Sequence, residues 1–178
     1  MTGWRPGERR ADRASMLRVD QAGEYGATRI YAGQLAVLRA NCPEAKLISR
    51  MAAQEQRHLQ RFDRLIAERR VRPTALQPLW NVAGFALGAA TALMSEQAAL
   101  ACTDAVETEI DRHYGRQLDE LGEDDPELAA DIAEFRAEEI EHRDIAREAG
   151  ATNAAGYPLL TAAIRAGCKV AIALSKRI

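Results

Sequence analysis

The chain has 178 residues, of which 47% are hydrophobic and 28% charged, and its formal net charge is -2. This length suits a single domain over residues 1–178, and the apolar content suffices for a core, which excludes a disordered chain. The balanced charge provides no extended basic face, so we expect no nucleic-acid partner. Cys42, Cys102 and Cys168 lie far apart, which excludes a disulfide framework and a four-cysteine zinc site.

The N-terminal residues include Arg5, Arg9 and Arg10, but acidic residues interrupt this basic stretch and no apolar signal core follows it. We therefore expect mature protein here rather than a targeting peptide. The rest of the chain is rich in helix-forming residues, which predicts an all-α fold. Breaks with proline or glycine at residues 41–43, 72–78, 122–126 and 150–158 divide it into five helical segments.

The first and third segments, about residues 12–40 and 79–121, each place a glutamate within an apolar helical stripe. Side chains seven residues apart lie along one face of a helix. The first stripe contains Leu17, Glu24, Tyr31 and Leu38, and the third contains Leu93, Leu100, Glu107, Tyr114 and Leu121. A glutamate thus occupies a core position in both segments.

The second and fourth segments, about residues 44–71 and 126–149, each carry a Glu-x-x-His motif inside an apolar stripe. The stripes are Ile48, Met51, Glu55, His58, Phe62, Leu65 and Leu128, Ile132, Phe135, Glu139, His142, Ala146. Glu24 precedes Glu55 by 31 residues, and Glu107 precedes Glu139 by 32. The chain therefore contains a repeat, which predicts two helical hairpins related by a pseudo-twofold axis.

This pattern predicts a two-metal centre in the core of a four-helix bundle. Such centres take one glutamate from each of two helices and a Glu-x-x-His motif from each of the other two. Burying these groups unpaired would cost several kcal/mol each, whereas metal ligation satisfies them. A carboxylate-rich set with two imidazoles and no thiolate favours iron or manganese over structural zinc, and of these we expect iron. The predicted ligands are Glu24, Glu55, His58, Glu107, Glu139 and His142, and the alternative is that they decorate solvated helix faces.

Several neighbouring side chains have open roles. His113 lacks a glutamate three residues earlier, so we expect it beside the metals or at the surface. We assign supporting catalytic roles to His113 and Tyr114. Tyr31 and Tyr114 are either ordinary core tyrosines or functional residues, which would hydrogen-bond a ligand or take part in electron transfer near the metals. Asp20 either orients an imidazole from across the bundle or is a surface acid. Stripe position selects Glu107 and Glu139 over their neighbours Glu109, Glu138 and Glu141.

An uncharged stretch of 23 residues runs from Pro73 through Ser95. Its length permits a transmembrane span, but it contains prolines and continues into the segment that bears Glu107. We expect a crossover that dips into a membrane interface, for which Trp80 is suited; the alternative is a buried crossover helix. Residues 157–178 form an apolar segment with basic residues, which we predict to be an extra C-terminal helix.

Several stretches resemble the demethoxyubiquinone hydroxylase family from about residue 12 to the end. They are Leu17–Ala27, Ala101–Thr103 before Glu107, His113–Tyr114, Glu138–His142 and Ala166–Ile172. The resemblance implies a ferritin-like four-helix bundle with an interfacial crossover segment and an extra C-terminal helix. It also implies an O2-dependent di-iron monooxygenase that hydroxylates the ring of 2-polyprenyl-3-methyl-6-methoxy-1,4-benzoquinol in ubiquinone biosynthesis. The six predicted ligands would then hold two iron ions per subunit.

The resemblance further implies a cavity for the quinone head and contact with a membrane surface. This places the chain at the cytoplasmic face of a bacterial membrane, or at the matrix side of the mitochondrial inner membrane. No GxGxxG fingerprint is present, so electrons come from a reductase, from the quinol, or from NADH bound without a Rossmann unit. A homo-oligomer or a lipid-presenting protein is the expected protein partner.

Three other functions remain open at this point. A ferritin-like iron storage or oxidase protein uses similar metal centres, although the apolar, basic C-terminal segment argues for a membrane rather than a closed shell. A di-iron tRNA hydroxylase is disfavoured because the isoelectric point is about 6.0. A metal-free helical scaffold is the least favoured, because it leaves the repeat unexplained.

Overall fold

The computed structural model describes residues 11–177, so Ile178 and the arginines predicted not to form a targeting peptide, Arg5, Arg9 and Arg10, lie outside the described residues. Over this range the chain forms α-helices, a short 3-10 turn and no strand. The helices are α1 Arg13–Val37, α2 Pro43–Glu68, α3 Gln77–Met94, α4 Glu96–Leu121, α5 Pro126–Glu148 and α6 Tyr157–Ser175, with the turn at Ala151–Asn153. The predicted all-α fold is confirmed.

Local sequence sets where the bundle helices begin. The side chains of Asp12, Ser95 and Asp125 accept hydrogen bonds from backbone N–H groups in the first turns of α1, α4 and α5. These caps satisfy donors that a helix N-terminus otherwise leaves free. Proline follows the cap of α2 and α5, where its missing N–H costs nothing.

Helices α1, α2, α4 and α5 form the four-helix bundle as two hairpins, α1 with α2 and α4 with α5. The predicted stripes of α1, α2 and α5 are buried along their whole length. One apolar cluster, which includes Leu17, Phe62 and Leu128, fills one end of the bundle. A second, which includes Ile48 and Leu100, fills the other. The predicted metal-ligating residues lie between these two clusters.

The prediction that residues 79–121 form one helix was wrong. Ser95 is extended, with φ -175° and ψ 166°, and its side chain caps α4. The chain turns there, so that Leu93 is 75% exposed and does not belong to the core stripe. The heptad interval continues past a break that the uncharged composition does not reveal, and the stripe of α4 begins at Leu100.

Helix α3 packs against α1 with the two backbones in direct contact. A Cβ atom added at Gly88 would overlap the carbonyl oxygen of Ile30, and one added at Gly33 would overlap that of Phe85. Glycine is therefore required at both positions for this approach. Helix α3 lies between α2 and α4 in the chain, so it connects the two hairpins while packed closely on α1.

Helix α6 packs against α4, and its end meets the start of α3, where Trp80 Nε1 donates to Ser175 Oγ at 3.1 Å. Both helices leave large apolar side chains exposed: Leu79, Val82, Phe85, Leu93 and Met94 on α3, and Leu159, Val170 and Leu174 on α6. Of the helices described, α6 is the one whose length and composition would permit a membrane crossing, which by itself is weak evidence. The exposed apolar side chains contradict the alternative of a fully buried crossover helix.

The α1–α3 contact makes a prediction about stability. We expect Gly88→Ala to lower the free energy of unfolding by about 1–3 kcal/mol, because the new methyl group overlaps the backbone of α1. Gly23→Ala is the matched control, because a Cβ there meets nothing within 4 Å in the described structure. It should raise stability by up to about 1 kcal/mol. Urea denaturation of the two variants measures both effects, and equal stabilities would contradict the packing described.

Candidate metal centre

The four bundle helices bring the six predicted ligands to one place in the core. Glu24 comes from α1, Glu107 from α4, one Glu-x-x-His pair from α2 and the other from α5. Each of the six is at most 1% exposed. Their ligand atoms form two overlapping groups, each within 4.8 Å: Glu24, Glu55, His58, Glu139 and Glu55, Glu107, Glu139, His142.

The two ligand groups share two carboxylates. Glu55 and Glu139 belong to both groups, so each of these carboxylates can bridge two positions. Each position then has one further glutamate and one histidine of its own. Because the shared residues come from the two Glu-x-x-His motifs, the pseudo-twofold repeat of the sequence reappears as a nearly symmetric pair of candidate ligand groups.

The hydrogen bonding of these residues fits a metal pair. The free atoms, which find no hydrogen-bond partner among residues 11–177, are Glu24 Oε2, Glu55 Oε1 and Oε2, His58 Nδ1, Glu107 Oε2, Glu139 Oε1 and Oε2, and His142 Nδ1. Buried polar atoms are paired in more than about nine cases in ten. His58 Nδ1 lies 3.0 Å from Glu139 Oε1, and His142 Nδ1 lies 3.1 Å from Glu55 Oε1. The nitrogen and oxygen atoms thus converge on common points, as ligand atoms around divalent cations do.

Burial and mutual proximity shift the pKa values of these carboxylates and imidazoles. Burial raises the pKa of Glu55 and Glu107 well above the usual value, and the charge of Glu139 adds to the shift. Burial also lowers the pKa of His142. Burial acts to lower the pKa of His58 as well, but the carboxylates of Glu139 and Glu24 outweigh it and raise the pKa to about 11. Without a cation, the carboxyl groups of Glu55 and Glu107 therefore favour their protonated form.

The two stripe tyrosines each hold a glutamate of the opposite hairpin. Tyr31 donates its hydroxyl to Glu107 Oε1 at 2.7 Å, and Tyr114 donates to Glu24 Oε1. Burial raises the pKa of both phenols well above the usual value, so they remain donors. Each bond leaves the other carboxylate oxygen free. Tyr31 and Tyr114 therefore hydrogen-bond candidate ligands, which is one of the functional roles considered for them.

His113 lies outside both groups and is buried beside them. Its Nε2 is 3.1 Å from Asp20 Oδ1, which also accepts from Gln117 Nε2 at 2.8 Å. Asp20 is 2% exposed and His113 is 5% exposed, so neither is a surface residue. Asp20 contacts an imidazole from across the bundle, which is the first of its two expected roles. Burial raises the pKa of Asp20 despite its contact with His113.

Sequence reasoning missed two residues that contact the histidines on their outer nitrogens. Glu138 Oε2 lies 2.8 Å from His58 Nε2, and Gln54 Oε1 lies 2.9 Å from His142 Nε2. Both precede a Glu-x-x-His motif by one residue, a position the repeat could have indicated. From the sequence, Glu138 is considered only as an alternative to Glu139 at the ligand position. Glu109, the other competitor, is buried and accepts from Arg165 Nε of α6 at 2.7 Å.

Comparison with known proteins identifies the family. The sequence matches the family described as "Ubiquinone biosynthesis protein COQ7" over residues 11–175. The chain belongs to this family. A relative from Rhodospirillum rubrum, named 3-demethoxyubiquinol 3-hydroxylase, is 57% identical over 162 residues, 91% of this chain and 76% of the relative. This confirms the resemblance to demethoxyubiquinone hydroxylases.

Eukaryotic members are also similar. The Homo sapiens protein, named NADPH-dependent 3-demethoxyubiquinone 3-hydroxylase, mitochondrial, is 52% identical over 167 residues, 92% of this chain and 76% of its own. The Saccharomyces cerevisiae protein, named 5-demethoxyubiquinone hydroxylase, mitochondrial, is 42% identical over 179 residues, 92% of this chain and 77% of its own. Hydroxylation of a demethoxylated quinone is thus the activity in all three names.

The raised glutamate pKa values predict how the metal-free protein responds to pH. A carboxyl group whose pKa is higher in the folded than in the unfolded state stabilises the folded protein. This stabilisation is complete at pH values below the unfolded pKa and is lost as the pH rises through the folded pKa. We expect the stability of Glu55→Gln to fall less than that of the wild type as the pH rises, because the glutamine amide does not ionise. The variant should therefore gain stability relative to wild type between pH 5 and 8 when both are treated with chelator.

Divalent cations should reverse the order of stability, so that the wild type becomes more stable than Glu55→Gln. Ferrous or manganous ion at about 100 times its Kd should stabilise the wild type by about 2.7 kcal/mol. Glu55→Gln should lose most of this gain, whereas Glu134→Gln, an exposed change on α5, should keep it. Thermal denaturation with and without metal measures both. An equal metal response in all three proteins would show that the centre does not bind cations.

Proposed function

We propose that this chain is an O2-dependent monooxygenase that hydroxylates the ring of 2-polyprenyl-3-methyl-6-methoxy-1,4-benzoquinol in ubiquinone biosynthesis. The observation that carries the proposal is the pair of overlapping carboxylate and histidine groups in the core of a chain of this family. The names of the relatives supply the substrate class. They also favour this function over iron storage and over tRNA hydroxylation.

We further propose that the six predicted ligands hold two iron ions per subunit. When bound, iron would supply the activation of O2, which protein side chains cannot provide. The chain's own contribution is position: Tyr31 and Tyr114 orient Glu107 and Glu24, each leaving one oxygen free for a cation. The two apolar clusters exclude water from the centre along the bundle axis.

The electron donor and the protein partner belong to the proposal as well. The human relative is named NADPH-dependent, which supports a reduced nicotinamide as donor here over a quinol or a separate reductase. NADH and NADPH are both to be compared as donors. The single domain over residues 1–178, and a homo-oligomer or a lipid-presenting partner, stay predictions.

We place the chain at a membrane surface, where a polyprenyl substrate resides. The exposed apolar side chains of α3 and α6 support this placement, because an apolar surface is stable when lipid covers it. The eukaryotic relatives are named mitochondrial, and a bacterial relative is similar as well. We propose a peripheral position on the cytoplasmic face of a bacterial membrane, or on the matrix side of the mitochondrial inner membrane.

Metal analysis and an oxygen-labelling assay test the proposed reaction. Protein loaded with ferrous iron without air and then desalted should retain about two irons per chain. With 18O2, a reduced nicotinamide and a short-chain substrate analogue, one labelled oxygen should enter the ring. Glu139→Ala removes a shared carboxylate and should lower the rate at least about 100-fold. Retention of many irons, or of none, would contradict the proposal.

Liposome co-sedimentation tests the membrane placement. Val82 and Leu159 are 67% and 78% exposed, so changing both to serine should leave stability within about 0.5 kcal/mol. The double variant should bind anionic liposomes more weakly, because it offers less apolar area to the bilayer. Ala133→Ser and Ala137→Ser on α5 provide a control at exposed positions away from α3 and α6. Unchanged binding of the Val82 and Leu159 variant would contradict the placement.

A further inference from the structure

The two histidines of the candidate metal centre face unlike partners on their outer sides. His58 Nε2 lies 2.8 Å from a carboxylate oxygen of Glu138, on the opposite hairpin. His142 Nε2 lies 2.9 Å from the amide oxygen of Gln54, again across the bundle. Glu138 and Gln54 occupy equivalent positions of the repeat, each one residue before its Glu-x-x-His motif. The two halves of the centre therefore have matching candidate ligands but different partners on the outer nitrogens of their histidines.

The surroundings keep Glu138 charged and in place. Arg57 donates to both of its oxygens, at 3.2 and 3.0 Å. Both bonds come from Nη2 of Arg57, so one guanidinium nitrogen pairs with the carboxylate and favours its charged form. Glu138 is partly exposed at the seam between α2 and α5, while the imidazole it contacts is fully buried. The carboxylate thus connects His58 to the edge of the bundle.

Gln54 is oriented by the same carboxylate. Its Nε2 lies 3.5 Å from Glu138 Oε2, which directs its amide oxygen toward His142. Glu138 therefore acts on both histidines, on one directly as an anion and on the other through a neutral amide. Only the direct contact places a full negative charge next to an imidazole N–H.

This difference changes how strongly each imidazole donates to a cation. A carboxylate that accepts the Nε2 proton makes Nδ1 a stronger electron-pair donor, and outer partners of this kind typically change metal affinity 10–100-fold. An amide oxygen carries no net charge and has a smaller effect. Each Nδ1 points into its own ligand group, so the difference is transmitted to one cation position and not equally to both.

We propose that Glu138 is a positioning residue that makes the two cation positions unequal, so that the position beside His58 fills first and holds a divalent metal more tightly than the position beside His142. The inference rests on the proposed two-metal centre and goes beyond it. It assigns an order of filling, and it assigns that order to one carboxylate outside the ligand set.

Cobaltous ion titrated into chelator-treated full-length protein, followed by its visible absorption, tests the order of filling. The wild type should bind two ions per chain in two resolved steps. His58→Ala should remove the tighter step and His142→Ala the weaker one. Glu138→Gln keeps an acceptor for His58 but removes the charge, so the tighter step should weaken about 10-fold and approach the second.

Matched variants separate the charge from general effects. Glu134→Gln removes the same charge one turn earlier on α5, at an exposed position, and should leave both steps unchanged. Glu138→Ala also removes the acceptor, and should weaken the tighter step at least as much as Glu138→Gln. Circular dichroism of each apoprotein verifies that the helices remain folded.

The outcomes distinguish this inference from the proposed function. Two ions that bind with equal affinity in the wild type, or a tighter step that Glu138→Gln leaves unchanged, would overturn the inference and leave the two-metal centre intact. Loss of the weaker step, rather than the tighter one, in His58→Ala would also overturn it. A wild type that binds no cobalt in the core would overturn both the inference and the metal centre.

Discussion

The structure depends on the burial of four carboxylates and two imidazoles at one point in a helical core. Their ligand atoms converge, and burial beside other carboxylates raises the pKa of Glu55 and Glu107. A pair of bound cations would stabilise the ionised form of these groups. The apolar clusters on either side and the crosswise tyrosine bonds all serve to hold these groups dry and in register.

The outer helices are attached to the two helices that carry the unshared glutamates. Helix α3 packs on α1, which bears Glu24, through backbone contact at Gly33 and Gly88. Helix α6 packs on α4, which bears Glu107, and Arg165 of α6 pairs with the buried Glu109. The outer helices, which carry exposed apolar side chains, thus pack directly on two of the helices that position the candidate metal centre.

The sequence predicted the six candidate ligands because helical periodicity is a local property, and the buried stripes of α1, α2 and α5 follow it residue by residue. The break at Ser95 escaped prediction because a single serine between two alanine-rich segments of helix-forming residues resembles continued helix. The contacts of Glu138 with His58 and of Gln54 with His142 cross between hairpins. Such contacts depend on how the two hairpins dock, which spacing within one helix does not specify.

A crystal structure of the iron-loaded protein, with anomalous scattering recorded at the iron edge, tests the central claim most directly. The account predicts two iron peaks in the bundle core, with Glu55 and Glu139 contacting both. His58 and His142 should each bind one iron through Nδ1, with Tyr31 and Tyr114 still hydrogen-bonded to Glu107 and Glu24. A single peak, iron at the surface, or ligation by Glu109 or Glu138 in place of the six would contradict it.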